Sequence, residues 1–217
     1  MKPELVIFDF DGVLIDSEVI GSTVWSGELK KAGFDVPASE ILENYTGKSG
    51  RQICAQIEEN HRKKLPHNFL DIVNVVVEEE MGRTLKAVPG AGELLEKLEA
   101  ERIPVCIASG SRPERLFLCL KVTGLDAYFN EANVFSALLV KHGKPAPDIF
   151  LYAADKMGVS PEKCLVIEDS VAGVTAGVSA GMTVYGFTGG SHCAPNHADK
   201  LKAAGAHKII SKLEVRS

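Results

Sequence analysis

Four short stretches carry the residue types that chemistry needs, and three of them follow an apolar run. Asp9-Phe10-Asp11-Gly12-Val13 comes after Leu5–Phe8, Ser109-Gly110-Ser111 after Pro104–Ala108, and Glu168-Asp169-Ser170 after Cys164–Ile167. The fourth, Gly143-Lys144-Pro145, precedes a helical pattern that opens at Pro147. In an extended segment residues i and i+2 point to the same side. Asp9 and Asp11 are therefore crowded, and crowding raises one pKa unless a cation or a proton-transfer role relieves it. Taken alone, Asp-x-Asp-Gly reads as well as a solvated turn with capping residues, and Glu168-Asp169 as an acidic pair favoured by a helix N-terminus. Together, at strand ends, they suit a hard cation with oxygen ligands, and magnesium is the usual one beside phosphate. The Ser109 hydroxyl and the backbone N–H groups from Gly110 onward can hold phosphate oxygens at a helix start, or merely cap and turn. Lys144 is an ordinary loop lysine in isolation, but beside a phosphate and carboxylates it balances charge.

These residues need a frame that brings strand ends together. The segments Leu5–Phe8, Pro104–Ala108, Cys164–Ile167, Thr183–Phe187 and Lys208–Ile210 are short and continuously apolar, as in parallel strands covered on both faces. Helical patterns lie between the later ones, at Ala91–Glu101, Pro113–Lys121, Pro147–Met157, Val171–Ala180 and Asn196–Ala204. This alternation predicts an α/β fold, a doubly wound parallel sheet of Rossmann type. Ligands in such sheets bind beyond the carboxyl ends of the strands, where the four stretches fall. Residues 17–88 are too long for one crossover helix. They read as four helices, Val19–Ala32, Ser39–Asn44, Ser49–His61 and Asn68–Leu85, with Gly33 as a stop and Val88-Pro89-Gly90 as a hinge. The expected division is an α/β core of residues 1–16 and 89–217 with a helical cap of residues 17–88.

Composition narrows the function. The 217 residues include 45% hydrophobic and 24% charged residues and carry a net charge of −5, an ordinary globular balance. No basic surplus favours nucleic acid or an anionic membrane, so an anionic substrate requires local positive charge. The five cysteines form no Cys-x-x-Cys pair, and Cys106 and Cys164 in apolar runs read as small buried hydrophobes. Disulfides and structural zinc are not expected, and a reducing, cytoplasmic setting is. The expected partner is a small phosphorylated metabolite, with no nucleic acid, no membrane and a monomeric chain.

In order and context these motifs resemble the haloacid dehalogenase (HAD) superfamily. The resemblance rests on Asp9-Phe10-Asp11-Gly12 with Val13-Leu14-Ile15-Asp16-Ser17, on Ser109, on Gly143-Lys144-Pro145-x-Pro147-Asp148, and on Glu168-Asp169-Ser170-x-x-Gly173. Within it the chain is similar to the β-phosphoglucomutase-like branch, with a helical cap after the first strand, and to bacterial sugar-phosphate and sugar-acid-phosphate phosphatases of that branch. The resemblance implies a Mg2+-dependent phosphatase working through an aspartyl-phosphate. It makes Asp9 the nucleophile and a metal ligand, and Asp11 the general acid/base with its carbonyl on the metal. It places Ser109, Gly110 and Lys144 on the phosphoryl group and Asp169 on the metal, with Glu168 helping directly or through water. The mutases carry a cap histidine where this chain has Gly21, so hydrolysis is expected rather than isomerisation. A hexose-phosphate mutase is the second reading, and a catalytically inactive binding or adaptor protein on the same scaffold is the third.

The segment Tyr45-Thr46-Gly47-Lys48-Ser49-Gly50-Arg51 matches in position a substrate-contacting cap loop of related enzymes. A positive charge in the first turn of a helix opposes the dipole, so Lys48 and Arg51 are candidates for reading an anionic or polyhydroxy substrate. Both can also be simply solvated. His192, Cys193 and His197 lie in a glycine-rich loop with no fourth donor in sequence, and they are not read as a metal site.

Overall fold

The computed structural model describes residues 2–213; residues 1 and 214–217 of the expected core lie outside them. The chain runs β1 (Leu5–Phe8), α1 (Glu18–Lys31), α2 (Ala38–Tyr45), α3 (Gly50–His61), α4 (Phe69–Thr84), α5 (Ala91–Ala100), β2 (Val105–Ser109), α6 (Pro113–Thr123), β3 (Val134–Ser136), α7 (Asp148–Met157), β4 (Cys164–Glu168), α8 (Val171–Ser179), β5 (Thr183–Phe187), α9 (His197–Ala203) and β6 (Lys208–Ile210). The strands form one sheet in the order β3-β2-β1-β4-β5-β6, and every neighbouring pair is parallel. This is the doubly wound arrangement, and its strand order reverses between β1 and β4, where a crevice opens at the carboxyl ends.

The apolar runs work by alternation. Val6 and Phe8 of β1, Ile107 of β2 and Leu165 and Ile167 of β4 face one core with Leu94, Leu95 and Leu98 of α5 and Leu116 and Leu120 of α6. Leu5, Ile7, Cys106, Cys164 and Val166 face the other, with Ile149 and Phe150 of α7, Val174 of α8 and Leu201 of α9. Each large side chain taken fully from water contributes about 1.5–3 kcal/mol, so neither face can be left uncovered. Cys106 and Cys164 behave as expected, and all five cysteines are free thiols. Strand β3 escapes sequence reading because its three residues carry no period.

Helices α1 to α4 enclose a third apolar cluster of their own. Trp25 and Leu29 meet Ile41, Tyr45, Ile53, Ile57, Phe69 and Val73, and the Trp25 and Phe69 rings pack edge to face at 5.8 Å. The end of α4 leaves that cluster, since Met81 and Leu85 join the α5/α6 side of the sheet. Gly33 ends α1 at φ +80°. Ser49 and Gln52 form a reciprocal capping box at the start of α3, which fixes where the preceding loop turns. No helix among the described residues is long and apolar enough to cross a membrane.

Candidate active site

Strands β1, β2 and β4 end side by side, so Asp9, Ser109, Glu168 and Asp169 meet with all four side chains buried. Lys144 reaches in from the loop before α7. Its Nζ donates to Asp9 Oδ1 and to Glu168 Oε1, each at 2.6 Å, and it lies 5.0 Å from the centre of the Phe150 ring. Glu168 Oε2 accepts from the Ser170 N–H at 2.7 Å and the Ser170 hydroxyl at 3.0 Å. Glycines make the room. A Cβ on Gly12 would stand 1.9 Å from Asp169 Oδ2, and one on Gly173 would stand 1.6 Å from Glu168 Oε1. The sequence motifs thus include residues chosen for having no side chain.

Asp11 is turned away from this group. Arg115 of α6 grips it with two bonds, Nη1 to Oδ2 at 2.8 Å and Nη2 to Oδ1 at 2.6 Å. The Ser17 hydroxyl donates to Oδ1 at 2.5 Å and the Ser111 hydroxyl to Oδ2 at 2.8 Å, and Arg115 also meets the Ser111 hydroxyl. Burial works against the Asp11 carboxylate, but Arg115 and the two hydroxyls outweigh it and hold its pKa at about 2. The crowding expected between Asp9 and Asp11 is therefore relieved on the Asp11 side by an arginine. Asp9 does titrate high, because burial raises it and Glu168 and Asp169 add to the rise against the pull of Lys144. The neighbours that add to the rise are at the end of β4 and just past it, not two residues along the chain.

Arg115, Ser111 and Ser17 went unread in sequence, although one signal was available. Arg112 and Arg115 stand in the opening turns of α6, where cations oppose the dipole, the same argument that singled out Lys48 and Arg51. Glu18 was also missed. It opens α1 beside the site, and burial together with the charges of Asp11 and Asp169 lifts its pKa to about 7. Ser109 is not a helix cap, since Arg112 holds the N-cap position of α6; its hydroxyl accepts from the Ser111 N–H at 3.1 Å. Gly110 is exposed and open, with nothing within 4 Å of a Cβ placed on it.

The loop between α2 and α3 comes to the rim of this edge. A Cβ on Gly47 would lie 3.6 Å from Ser170 Cβ. Lys48 is not unpartnered: its Nζ donates to Gln56 Oε1 at 2.7 Å and lies 5.3 Å from the Tyr45 ring centre. Arg51 is exposed in the first turn of α3. His142 stays outside, with its backbone N–H on Asp148 Oδ2 at 3.3 Å.

The donor set fits a hard divalent cation. Oxygens of Asp9, Glu168 and Asp169 lie within 4.8 Å of one another, and Asp169 Oδ2 is buried with no hydrogen-bond partner. With Asp11 matched by Arg115, Lys144 alone bonds the two carboxylates of Asp9 and Glu168, and Asp169 beside them adds an oxygen that a divalent ion could share.

Comparison with known proteins agrees with this geometry. The haloacid dehalogenase-like hydrolase family matches residues 3–181. The 6-phosphogluconate phosphatase of Escherichia coli K12 is 30% identical over 193 residues, 88% of this chain and 86% of that protein. A phosphorylated carbohydrates phosphatase of Thermotoga maritima is 32% identical over 215 residues, 98% of this chain and 96% of that one. A HAD family hydrolase from Deinococcus radiodurans, solved with bound phosphate and sodium, superposes with a TM-score of 0.80 at 36% identity, covering 97% of this chain and 91% of that chain. The chain belongs to the haloacid dehalogenase-like hydrolase family. Within that family it is a phosphoric monoester hydrolase, a phosphatase of phosphorylated metabolites.

Proposed function

We propose that this enzyme hydrolyses the monophosphate of a small sugar or sugar acid with Mg2+, through a phosphoryl group carried on Asp9. The observation that carries this reading is Lys144 bridging Asp9 and Glu168 at 2.6 Å each, beside Ser109 and Asp169 at one sheet edge. Asp9, Asp169, the Asp11 carbonyl and Glu168, directly or through water, would hold the magnesium. The ion would neutralise charge on the transferring phosphoryl group. Ser109, the Gly110 backbone and Lys144 bind the phosphoryl oxygens. An Asp9 oxygen attacks phosphorus as the ester oxygen leaves, and Asp11 gives that oxygen its proton. Asp11 then takes a proton from the water that attacks the phosphoaspartate, which returns Asp9 and releases phosphate. As positioned, Asp11 is ionised, and Arg115 with two hydroxyls occupies both of its oxygens. Service as the acid requires the pair to open, and the closeness of the cap loop to Ser170 supports a role for residues 17–88 as a cap whose closure accompanies that change.

Hydrolysis is favoured over isomerisation because Gly21, where the mutases carry histidine, presents no side chain and has nothing within 4 Å of a Cβ placed on it. Lys48 and Arg51 are the proposed readers of the rest of the substrate, supported by the approach of neighbouring Gly47 to Ser170. The relatives named for 6-phosphogluconate and for phosphorylated carbohydrates make phosphorylated sugars and sugar acids the first compounds to try. The test is a phosphate-release screen over sugar phosphates, sugar-acid phosphates and nucleotides, with Mg2+ and with chelator. The expected result is Mg2+-dependent phosphate release without isomerised sugar phosphate. Full activity in chelator removes the metal from the mechanism, and isomerisation faster than phosphate release makes the enzyme a mutase.

A further inference from the structure

The loop from β5 to α9 carries donor side chains that the phosphoryl chemistry does not use. Thr188-Gly189-Gly190-Ser191 leads into His192 and Cys193, and His197 opens α9. In sequence these are three donors lacking a fourth, and the fold brings Asp169 beside one of them. Asp169, just past β4, places Oδ2 2.9 Å from His192 Nε2, with both side chains only 3% exposed. The same Nε2 lies 3.6 Å from Cys193 Sγ. Donor atoms of His192, Cys193 and His197 all fall within 4.8 Å of one another.

Asp169 Oδ2 and His192 Nε2 meet at ion-pair distance in a site closed to water. Asp169 Oδ2 accepts no hydrogen bond, and His192 Nδ1 on the far side of the ring is also without a partner, both atoms being buried. Buried polar atoms in this condition call for an explanation. Donors this close can serve as neighbours around one cation once the ring nitrogen has given up its proton. Metal–ligand bonds of about 2.0–2.3 Å at about 90–110° separate adjacent donors by roughly 2.9–3.6 Å, the two separations seen here.

The backbone is built around this ring. A Cβ on Gly190 would stand 2.7 Å from His192 Cε1, and one on Gly12 would stand 2.8 Å from the same atom. Ser191 anchors the loop through its N–H at 3.2 Å and its hydroxyl at 2.7 Å from Asp16 Oδ1. His197 Nε2 lies 2.5 Å from the Asp169 carbonyl oxygen, which leaves Nδ1 as the nitrogen for a metal and orients the ring as a second hydrogen bond does in metal sites. Cys193 and His197 remain partly accessible, so an ion has a way in from their side.

We propose that His192, Cys193, His197 and Asp169 form a site for a divalent transition metal of the zinc type. It adjoins the Asp9, Glu168 and Asp169 group through Asp169 and is separate from it in its other donors. A thiolate and two imidazoles select such an ion over magnesium, which takes oxygen. The bound ion would fasten the β5–α9 loop to the end of β4. This inference stands on the donor geometry and does not depend on the phosphatase reading.

The test uses the full chain stripped of metal, with ZnCl2 followed by calorimetry and CoCl2 followed by absorbance. One equivalent of zinc is expected, with a thiolate-to-cobalt absorption band in the near ultraviolet. Cys193→Ser should abolish the band, and both it and His197→Ala should weaken zinc binding by about 10- to 100-fold. Zinc should raise the Tm of the wild-type chain by several degrees at about 100 times Kd and leave Cys193→Ser unmoved at that concentration. Asp9→Asn, which alters the oxygen group alone, should bind zinc as the wild type does. Absence of the cobalt band, or unchanged zinc affinity in Cys193→Ser and His197→Ala, overturns the proposal. So does zinc binding that is lost in Asp9→Asn and kept in Cys193→Ser, because the zinc then sits in the oxygen group.

Discussion

The sheet edge and the cap loop make opposite use of charged residues. At the edge, Asp9, Glu168 and Asp169 are buried at strand ends, Lys144 binds Asp9 and Glu168 at 2.6 Å each, and glycines are required so that they fit. In the loop, Lys48 holds Gln56 and Arg51 faces solvent, on helices with a separate apolar cluster. A buried charge persists only when partners hold it in place, so the edge is preorganised and intolerant of change. Exposed cations cost little to move or replace. On the proposed reading, chemistry lies on the rigid part and recognition on the adaptable part, a division that lets one core serve different substrates.

The largest effect that would sharpen this contrast is expected from Asp9→Asn. The side chain keeps its shape but loses the attacking charge, and turnover should fall on the order of 10³-fold or more. Near-wild-type turnover of purified Asp9→Asn would remove Asp9 from the mechanism. Gly173→Ala is next. Its methyl falls on the Glu168 carboxylate, so Glu168 and the Lys144 bridge must shift, and a displacement near 1 Å costs about 10²-fold in turnover. A Gly173→Ala enzyme with full kcat would show the edge to be more compliant than the cap.

Glu18 sits at the junction of the two regions. Its carboxyl has an ordinary pKa of 4.5 and holds its proton to about 7 in the fold. Between those values the folded chain binds more protons than the unfolded one, so stability declines as pH rises from 4.5 to 7 and the loss is complete above. Because part of the side chain keeps contact with water, the penalty is on the order of 2 kcal/mol. Urea unfolding in chelator should find Glu18→Gln equal to wild type at pH 4 and more stable by that amount at pH 8. Equal stability at both pH values would place Glu18 with the solvated charges of the cap.

The smallest effect is expected in the loop. Arg51→Ala should raise KM for the best sugar or sugar-acid phosphate by roughly tenfold, the loss of one charged contact of ~1.5 kcal/mol. Hydrolysis of p-nitrophenyl phosphate, which offers the cap no second anion, should hardly change. Equal losses on both substrates would mean that Arg51 acts on folding or closure.

The order of elements, the doubly wound class and the convergence of Asp9, Ser109, Lys144, Glu168 and Asp169 were legible in the chain. Apolar alternation and turn residues act over a few positions, and a parallel sheet places all its carboxyl ends on one side. Strand β3 was not legible, because three residues show no period and its pairing with β2 is tertiary. The protonation of the two aspartates was hidden as well. Asp11 is set by Arg115, 104 positions away, and Asp9 by burial at the sheet edge and by Glu168 and Asp169, against the pull of Lys144, 135 positions away. His192 and Cys193 lacked a further donor until the sheet order laid β5 beside β4 and brought Asp169 to them. Residue type and local spacing decide which groups can ionise, bind or attack. Which of them share a charge is decided by distances below 3 Å between segments far apart in sequence, and only the packed fold sets those.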